Sequence, residues 1–402
     1  MPARPRPRPS AATGPREVAD IMLGWLGQEL VSCTPLQTLW AGYGQIVFVT
    51  ARSSSSRDTS RYVLKLISPP PGNDEGHVRK LLSYEVEQAF YATVAPTLDV
   101  PVAHCLASTH GMEGRPGADQ LQGVTAMLLS DLRPDYPVAG GKRGVLSETA
   151  VHAALDWLAR FHGASRGAVG RHELGGYLLP PLEEARRRER GPGGSKLWLN
   201  GGYTYLATRR GELADLADSD SEWNAAFCAR DDALGCSVAD AVAAVLTPSG
   251  RAAESVIHGD VKSENLFTTR KGDAVAFFDF QYVGLGLGVC DLAKLFTCSV
   301  PEDMLANDVP HALGMQAGEQ VLLERYRDEV LRAQRAGKAG REAEYAWSEM
   351  VRHWETALVD WCRFQASWGF WGNTEWLEAR VRHILADAGW RKWLMEELRA
   401  CK

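Results

Sequence analysis

Asp260 and Asn265 stand five residues apart behind His258-Gly259, and fourteen residues past the asparagine an apolar run over 274–278 ends in Asp279-Phe280-Gln281. Between them, residues 266–268 read as a second short apolar strand, so the region is hairpin-like, with its polar groups at the strand ends. A carboxylate that can take a proton from a hydroxyl, an amide that can hold a metal ion and a second carboxylate aimed by a strand are the parts that phosphoryl transfer needs. Either signal alone is weak, and the two in this order are much stronger.

The rest of the chain has two textures. Residues 18–30 carry apolar side chains at helical spacing (Val18, Ile21, Met22, Trp25, Leu26), and residues 36–40, 45–50 and 62–67 then read as three antiparallel strands. A helix is expected over 81–94 and a buried strand over 124–129, and from about residue 147 helical patterns dominate. A strand-rich first third followed by a helical remainder is an α+β layout with segregated lobes. The expected division is a basic, proline-rich disordered tail over 1–17, an N-lobe over 18–131 and a C-lobe over 132–402.

Composition excludes several partners. With 44 basic and 50 acidic side chains the net charge is -6 over 402 residues, which argues against nucleic acid or an anionic membrane as the main partner. No apolar run approaches the roughly 20 residues of a membrane span. The eight cysteines are scattered without a C-x-x-C pair, as in a reducing compartment, so a cytoplasmic protein is expected. The start is rich in arginine and free of acid before Glu17, which leaves an organelle transit peptide as the alternative. Nothing in the pattern indicates an oligomeric state.

The remaining parts can be sought in order. Lys65, flanked by apolar residues of the third strand, can reach phosphates. It needs an anion on a helix, and Glu87, which shares a helical face with Phe90 and Tyr91, is preferred over Glu85. The Gly42-Tyr43-Gly44 turn between the first two strands could bring backbone N–H groups to phosphates. In the loop itself Asp260 is the proton acceptor, Lys262 neutralises the transferred group, and Asn265 and Asp279 are the metal ligands. His258 packs beneath the metal aspartate, and Asp291 braces the loop from a helix start, both as structural supports. The glycines at 284, 286 and 288 are wrongly spaced for a dinucleotide fingerprint.

Together these residues resemble the protein-kinase-like superfamily, and within it the aminoglycoside phosphotransferase and choline-kinase-like branch. The quoted signature is His258-Gly259-Asp260 to Asn265, then Asp279-Phe280-Gln281, then Gly288-Val289-Cys290-Asp291-Leu292-Ala293. The D-F-Q form is most similar to the ecdysteroid-kinase-like members. The resemblance implies a bilobal kinase-like fold, ATP and Mg2+ as cofactors, adenine near residues 127–132 with Ser130 and Leu132 beside it, and a small-molecule hydroxyl as acceptor. A protein kinase is the first alternative, but only twelve positions separate Asp279 from Asp291 and no A-P-E follows, which leaves no peptide platform. A nucleotide-binding pseudokinase acting as an interaction module is the second.

The acceptor pocket of such enzymes is formed by C-lobe helices. Here Trp347, Trp354, Trp361 and Trp368 recur every seven residues and share a helical stripe. They read either as an aromatic cage for a quaternary ammonium, with Trp361 and Asp360 in the pocket, or as a core stripe with Asp360 paired to Arg363. Choline- or ethanolamine-like amines, aminoglycosides, sugars and hydroxylated lipophiles are all open as acceptors.

Overall fold

Pro15 opens the first helix, α1 (Pro15–Gly24), where a missing N–H costs nothing because the first helical turn has no acceptor for it. The structure, a computed structural model, describes residues 14–53, 58–194, 196–336 and 344–401. The helix therefore takes in residues that the sequence reading gave to the tail, and only 1–13 of that tail lie outside the described residues. It also stops earlier than expected, because Gly27 turns the chain in the left-handed region (φ 65°) and a strand begins at once.

Contacts divide the chain into two units, Met1–Thr97 with Val102–Pro134 and Leu98–Pro101 with Asp135–Lys402. In the first, β1 (Gln28–Thr38), β2 (Gly44–Ser53), β3 (Thr59–Ile67), α2 (Glu75–Thr93), β4 (Cys105–Ser108) and β5 (Thr125–Ser130) follow α1. The sheet order is β1-β2-β3-β5-β4, antiparallel at every pair. Side chains alternate across it. Val47, Val49, Ala51, Leu64 and Leu66 pack on Val18, Ala19, Met22 and Leu23 of α1. Lys65, between two of them, must point to the opposite face, where α2 supplies its partner.

The second unit holds three small sheets among many helices. Its elements are β6 (Val138–Ala139), α3 (Glu148–Ser165), α4 (Pro181–Arg190), α5 (Arg210–Ala217), α6 (Glu222–Phe227), β7 (Arg230–Asp231), β8 (Cys236–Ser237) and α7 (Val238–Leu246). Then come β9 (Glu254–Ile257), β10 (Leu266–Thr268), β11 (Val275–Phe277), β12 (Gly284–Leu287), α8 (Val289–Cys298), α9 (Ala317–Ala336), α10 (Trp347–Trp368), α11 (Thr374–Ala386) and α12 (Ala388–Ala400). β9 pairs with β12, and β10 with β11 and β6, all antiparallel. The strand-rich first unit and helical second unit are the expected α+β layout.

The tryptophan stripe of α10 splits along its length. Trp354 is fully buried and donates through Nε1 to Glu319 Oε1 at 2.7 Å, while Arg380 pairs with the same carboxylate at 2.9 Å. Trp361 is buried, and Trp368 is 56% exposed. The middle of the stripe is core, and Trp347 at its other end is half-buried.

Candidate active site

Lys65 lies in β3 with Leu64 and Leu66 turned to the other side of the sheet, and its Nζ meets Glu87 Oε2 of α2 at 2.7 Å. Both side chains are buried, whereas Glu85 is on the exposed side of the helix. Glu87, not Glu85, therefore forms the ion pair. Gly44 precedes β3's partner run with φ 146°, and a Cβ there would sit 2.1 Å from Leu66 O, so only glycine fits the turn. The N–H groups of Gly42 and Tyr43 close that turn on Leu39 O and Trp40 O. As the turn stands it offers them to no phosphate. At the end of β5, Ser130 exchanges backbone and side-chain hydrogen bonds with His104, and the half-buried Leu132 follows Asp131, whose carboxylate takes two bonds from Arg133.

In the second unit the loop from β9 to β10 carries Asp260, Lys262 and Asn265. Gly259 makes its first turn at φ 84°, with room for no side chain, since a Cβ would lie 2.3 Å from Tyr282 O. Asn265 donates through Nδ2 to both Asp260 O and Asp260 Oδ2, each at 2.9 Å, and Lys262 Nζ lies 3.1 Å from the same Oδ2. Burial pulls the Lys262 ammonium down, but the Asp260 carboxylate, helped by Glu264 and Asp279, outweighs it and holds the pKa above the usual lysine value.

Asp279 is brought to this loop by the β10–β11 pairing, in which Leu266 faces Phe277, and by a bond from Phe278 N to Asn265 O at 3.0 Å. It adopts the left-handed conformation, φ 66°, and accepts from Gln281 Nε2 at 2.7 Å. His258 joins the two turns. Its Nε2 faces Phe278 O at 3.0 Å and its Nδ1 accepts from Asp260 N at 3.3 Å. A carbonyl only accepts and an N–H only donates, so the imidazole is neutral with its proton on Nε2. Burial agrees, pushing His258 below the usual histidine value against the pull of Asp291 and Asp260.

Asp291, in the first turn of α8, takes His258 N on Oδ2 at 2.7 Å and Gly259 N on Oδ1 at 2.9 Å. His162 Nε2 lies 3.1 Å from Oδ2, with Tyr326 behind it. Burial alone would raise the Asp291 carboxyl; the bond from His162 and the nearby positive charge of Lys294 outweigh it and hold it below the usual range. Lys294 Nζ donates to Gly259 O at 2.6 Å, so the turn before Asp260 is bound on both its N–H and its C=O sides.

The donor set can be tested for a metal. Among the described residues no three His, Cys, Asp or Glu side chains cluster as a metal site. Magnesium binds through one or two carboxylates with phosphates and water completing its shell, so a small donor set could hold it. Asn265, whose Nδ2 is engaged with Asp260, could offer its Oδ1 to a cation, and Asp279 could offer a carboxylate oxygen.

Residues 44–315, some two thirds of the chain, match the ecdysteroid kinase-like family. The chain belongs to that family. Membership makes it a small-molecule kinase, a phosphotransferase with an alcohol group as acceptor. No curated protein matches the sequence significantly. Among solved structures it is similar to an ethanolamine kinase of Plasmodium vivax, at 10% identity over 93% of this chain and 82% of that one, TM-score 0.39. It is similar also to a choline kinase of Cryptosporidium parvum Iowa II, at 11% identity over 92% and 91%, TM-score 0.39. A third is an amicoumacin kinase in complex with AMP-PNP, Ca2+ and Ami, at 12% identity over 92% and 87%, TM-score 0.37. The family assignment rests on the match over 44–315 and not on these likenesses.

Several neighbours of Asp260 in this ecdysteroid kinase-like chain carry no sequence signal. The Tyr203 ring lies tilted against Tyr282 at 5.0 Å and edge-on to Phe364 at 5.9 Å, and burial together with the Asp260 charge pushes its phenol well above the usual value. Cys298 feels the same charge and bonds to Trp371, its thiol pushed up to about 12, chiefly by burial. Asp360 and Trp361 line a cavity of about 370 Å³ whose walls do not include Asp260, Trp361 also packs on Phe364 at 5.4 Å and on Trp371 at 5.5 Å, and Asp360 is paired with Arg363 at 2.8 Å. Among the described residues no helix is long and apolar enough to cross a membrane.

Proposed function

We propose that the chain transfers the γ-phosphoryl group of ATP to a hydroxyl of a small, neutral, partly apolar molecule. The observation that carries the reading is the joining of Asp260, Asn265 and Asp279 through His258 and the β10–β11 pairing, which puts a proton acceptor beside a metal-binding pair. Asn265 and Asp279 would hold a magnesium ion, which when bound would supply charge neutralisation to the phosphates. Lys65, fixed by Glu87, contacts the phosphates. Asp260 orients the acceptor hydroxyl and takes its proton, while Asn265 Nδ2 and Lys262 Nζ hold the carboxylate in place. Lys262 stays charged at neutral pH and stabilises the transferred group. Ser130 and Leu132 flank the adenine.

Charge favours a neutral acceptor. The aromatic groups near Asp260 already face a cation of the protein, since Arg209 lies 5.6 Å from the Tyr203 ring, 5.8 Å from Phe364 and 5.2 Å from Trp368. An ammonium ligand would compete with that guanidinium for the same rings. Asp360, the proposed counter-charge for such a ligand, is neutralised by Arg363. Hydroxylated lipophiles are therefore preferred over choline-like amines, aminoglycosides and sugars.

The test is ATP consumption by the purified protein with magnesium, against a panel of amines, aminoglycosides, sugars and sterols, with Asp260→Asn as control. Turnover of a sterol or similar lipophile that disappears in the variant supports the reading. Turnover confined to amines would overturn the neutral acceptor, and ATP use that survives Asp260→Asn would overturn the mechanism.

A further inference from the structure

The cavity lined by Asp360 and Trp361 has no part in the phosphotransfer reading. At about 370 Å³ it is within the range of small-molecule sites, and its wall is mostly hydrocarbon, from Leu206, Ala243, Ala244, Leu246, Ile257 and Ala357. Among its polar groups, which also include Glu183, Asn200, Thr204 and Asp360, two pairs differ in exposure. Arg210 and Asp240 pair with each other, with the arginine side chain 59% exposed, and Ser237 also donates to Asp240. Lys294 and Trp361 are instead 5% and 4% exposed.

These two buried groups have hydrogen-bonding capacity in hand. Lys294 uses one N–H on Gly259 O, and among the described residues it has no ion pair. Trp361 Nε1 is buried and finds no acceptor. The nearby carboxylates are engaged elsewhere: Asp360 Oδ1 with Arg363, and Asp291 with two backbone N–H groups and His162. Lys294 has the Asp291 carboxylate nearby and the Trp361 ring 6.0 Å from its Nζ, but neither takes up its remaining N–H capacity, and a buried donor without an acceptor is costly unless something meets it.

We propose that this cavity binds an apolar carboxylic acid, its carboxylate on Lys294 and Trp361 Nε1 and its hydrocarbon along the Ala243, Ala244 and Ile257 wall. Two donor groups match the two oxygens of a carboxylate, and a phosphate would leave acceptors unmet in so apolar a chamber. The ligand would touch the lysine that holds Gly259, one residue before Asp260. It is a second site, apart from the acceptor of phosphoryl transfer.

The test is calorimetric titration of the full chain, without ATP, with octanoate, octan-1-ol and octylamine, which share one tail and differ in the head. Octanoate binds with one site per chain, at least about tenfold more tightly than the alcohol, as a charge-assisted hydrogen bond implies, and the amine does not bind. Lys294→Met weakens octanoate by about tenfold or more. Ala243→Phe, which fills the cavity with Lys294 intact, abolishes binding and serves should Lys294→Met fail to fold. Asp260→Asn leaves octanoate affinity unchanged. Absence of octanoate binding, equal binding of octanol, or undiminished binding to Ala243→Phe overturns the proposal. A marked loss in Asp260→Asn also overturns it, by placing the cavity in the acceptor site. Because no ATP is present, failure here and failure of the phosphotransfer reading are separate results.

Discussion

Lys65 and Asp260 are both buried charged groups with a part in the proposed chemistry, yet the protein positions them by different means. Lys65 is set by a side chain reaching a side chain, from β3 to Glu87 on α2 among apolar neighbours. Asp260 sits on a turn whose backbone is bound at three points, by Asp291 on two N–H groups and by Lys294 on a carbonyl, with His258 holding its own N–H. An ion pair of the first kind fails when either partner is lost, because the other charge is left buried. A turn of the second kind keeps its shape when the catalytic side chain itself is changed.

The contrast is tested most sharply by Asp260→Asn. Turnover should fall by about 10² to 10⁴ while the melting temperature stays near that of the unchanged protein. A large loss of stability would show that the turn depends on the carboxylate after all. Glu87→Ala should do the reverse and lower unfolding stability by about 3 to 5 kcal/mol, read by denaturant titration, with most of the loss recovered in the apolar double variant Lys65→Met with Glu87→Leu. If the double variant is no better than the single one, the pair is not the isolated unit described. Asp291→Asn should cost about 2 kcal/mol and also reduce turnover, since one backbone N–H of the turn loses its acceptor. An activity effect without a stability effect would assign Asp291 a part in the chemistry.

The smallest expected effect is on pH. Burial depresses His258, and burial together with Arg251 and Arg166 brings His353 to about 4. The unfolded chain takes up these protons near the ordinary histidine value of about 6.5, and the folded chain only at lower pH. The stability linked to both groups is therefore present above about pH 6.5 and is lost as pH falls toward the folded values, for His353 by about 1.4 kcal/mol at about pH 5.5. Thermal melts between neutral pH and about pH 4.5 should show the decline, and His353→Phe should flatten it. A profile that His353→Phe leaves unchanged removes that residue from the account.

The α+β layout was legible because β2, β3 and β5 run apolar or alternate and the helices beyond residue 147 have clear periodicity. β1 was only half read: its first residues, 28–33, mix polar and apolar groups, as suits an edge strand, and their pairing with residues 49–53 of β2 is a long-range choice. Four-residue β4 left no pattern to read. At the candidate site the five-residue spacing of Asp260 and Asn265 and the strand before Asp279 were local signals, so they could be found. Glu87 needed only a helical face. His162 could not be found in that way, since 129 residues separate it from the Asp291 it bonds, and Tyr203 meets Tyr282 only through the fold. Lys294 did carry a signal, a lysine embedded in Leu292-Ala293 and Leu295-Phe296, where a solvated charge would be out of place.

Asp279 is one of three non-glycine residues at positive φ among those described, with Ala41 and Arg143. An aspartate in that conformation carries backbone strain of about 1 kcal/mol that glycine would not. Laboratory evolution for heat resistance alone would thus favour Asp279→Gly, and a library screened only by melting temperature would enrich for proteins that have shed the proposed metal ligand. Survivors of such a screen would be sturdier folds and dead kinases, so any stabilising programme on this scaffold has to hold position 279 fixed.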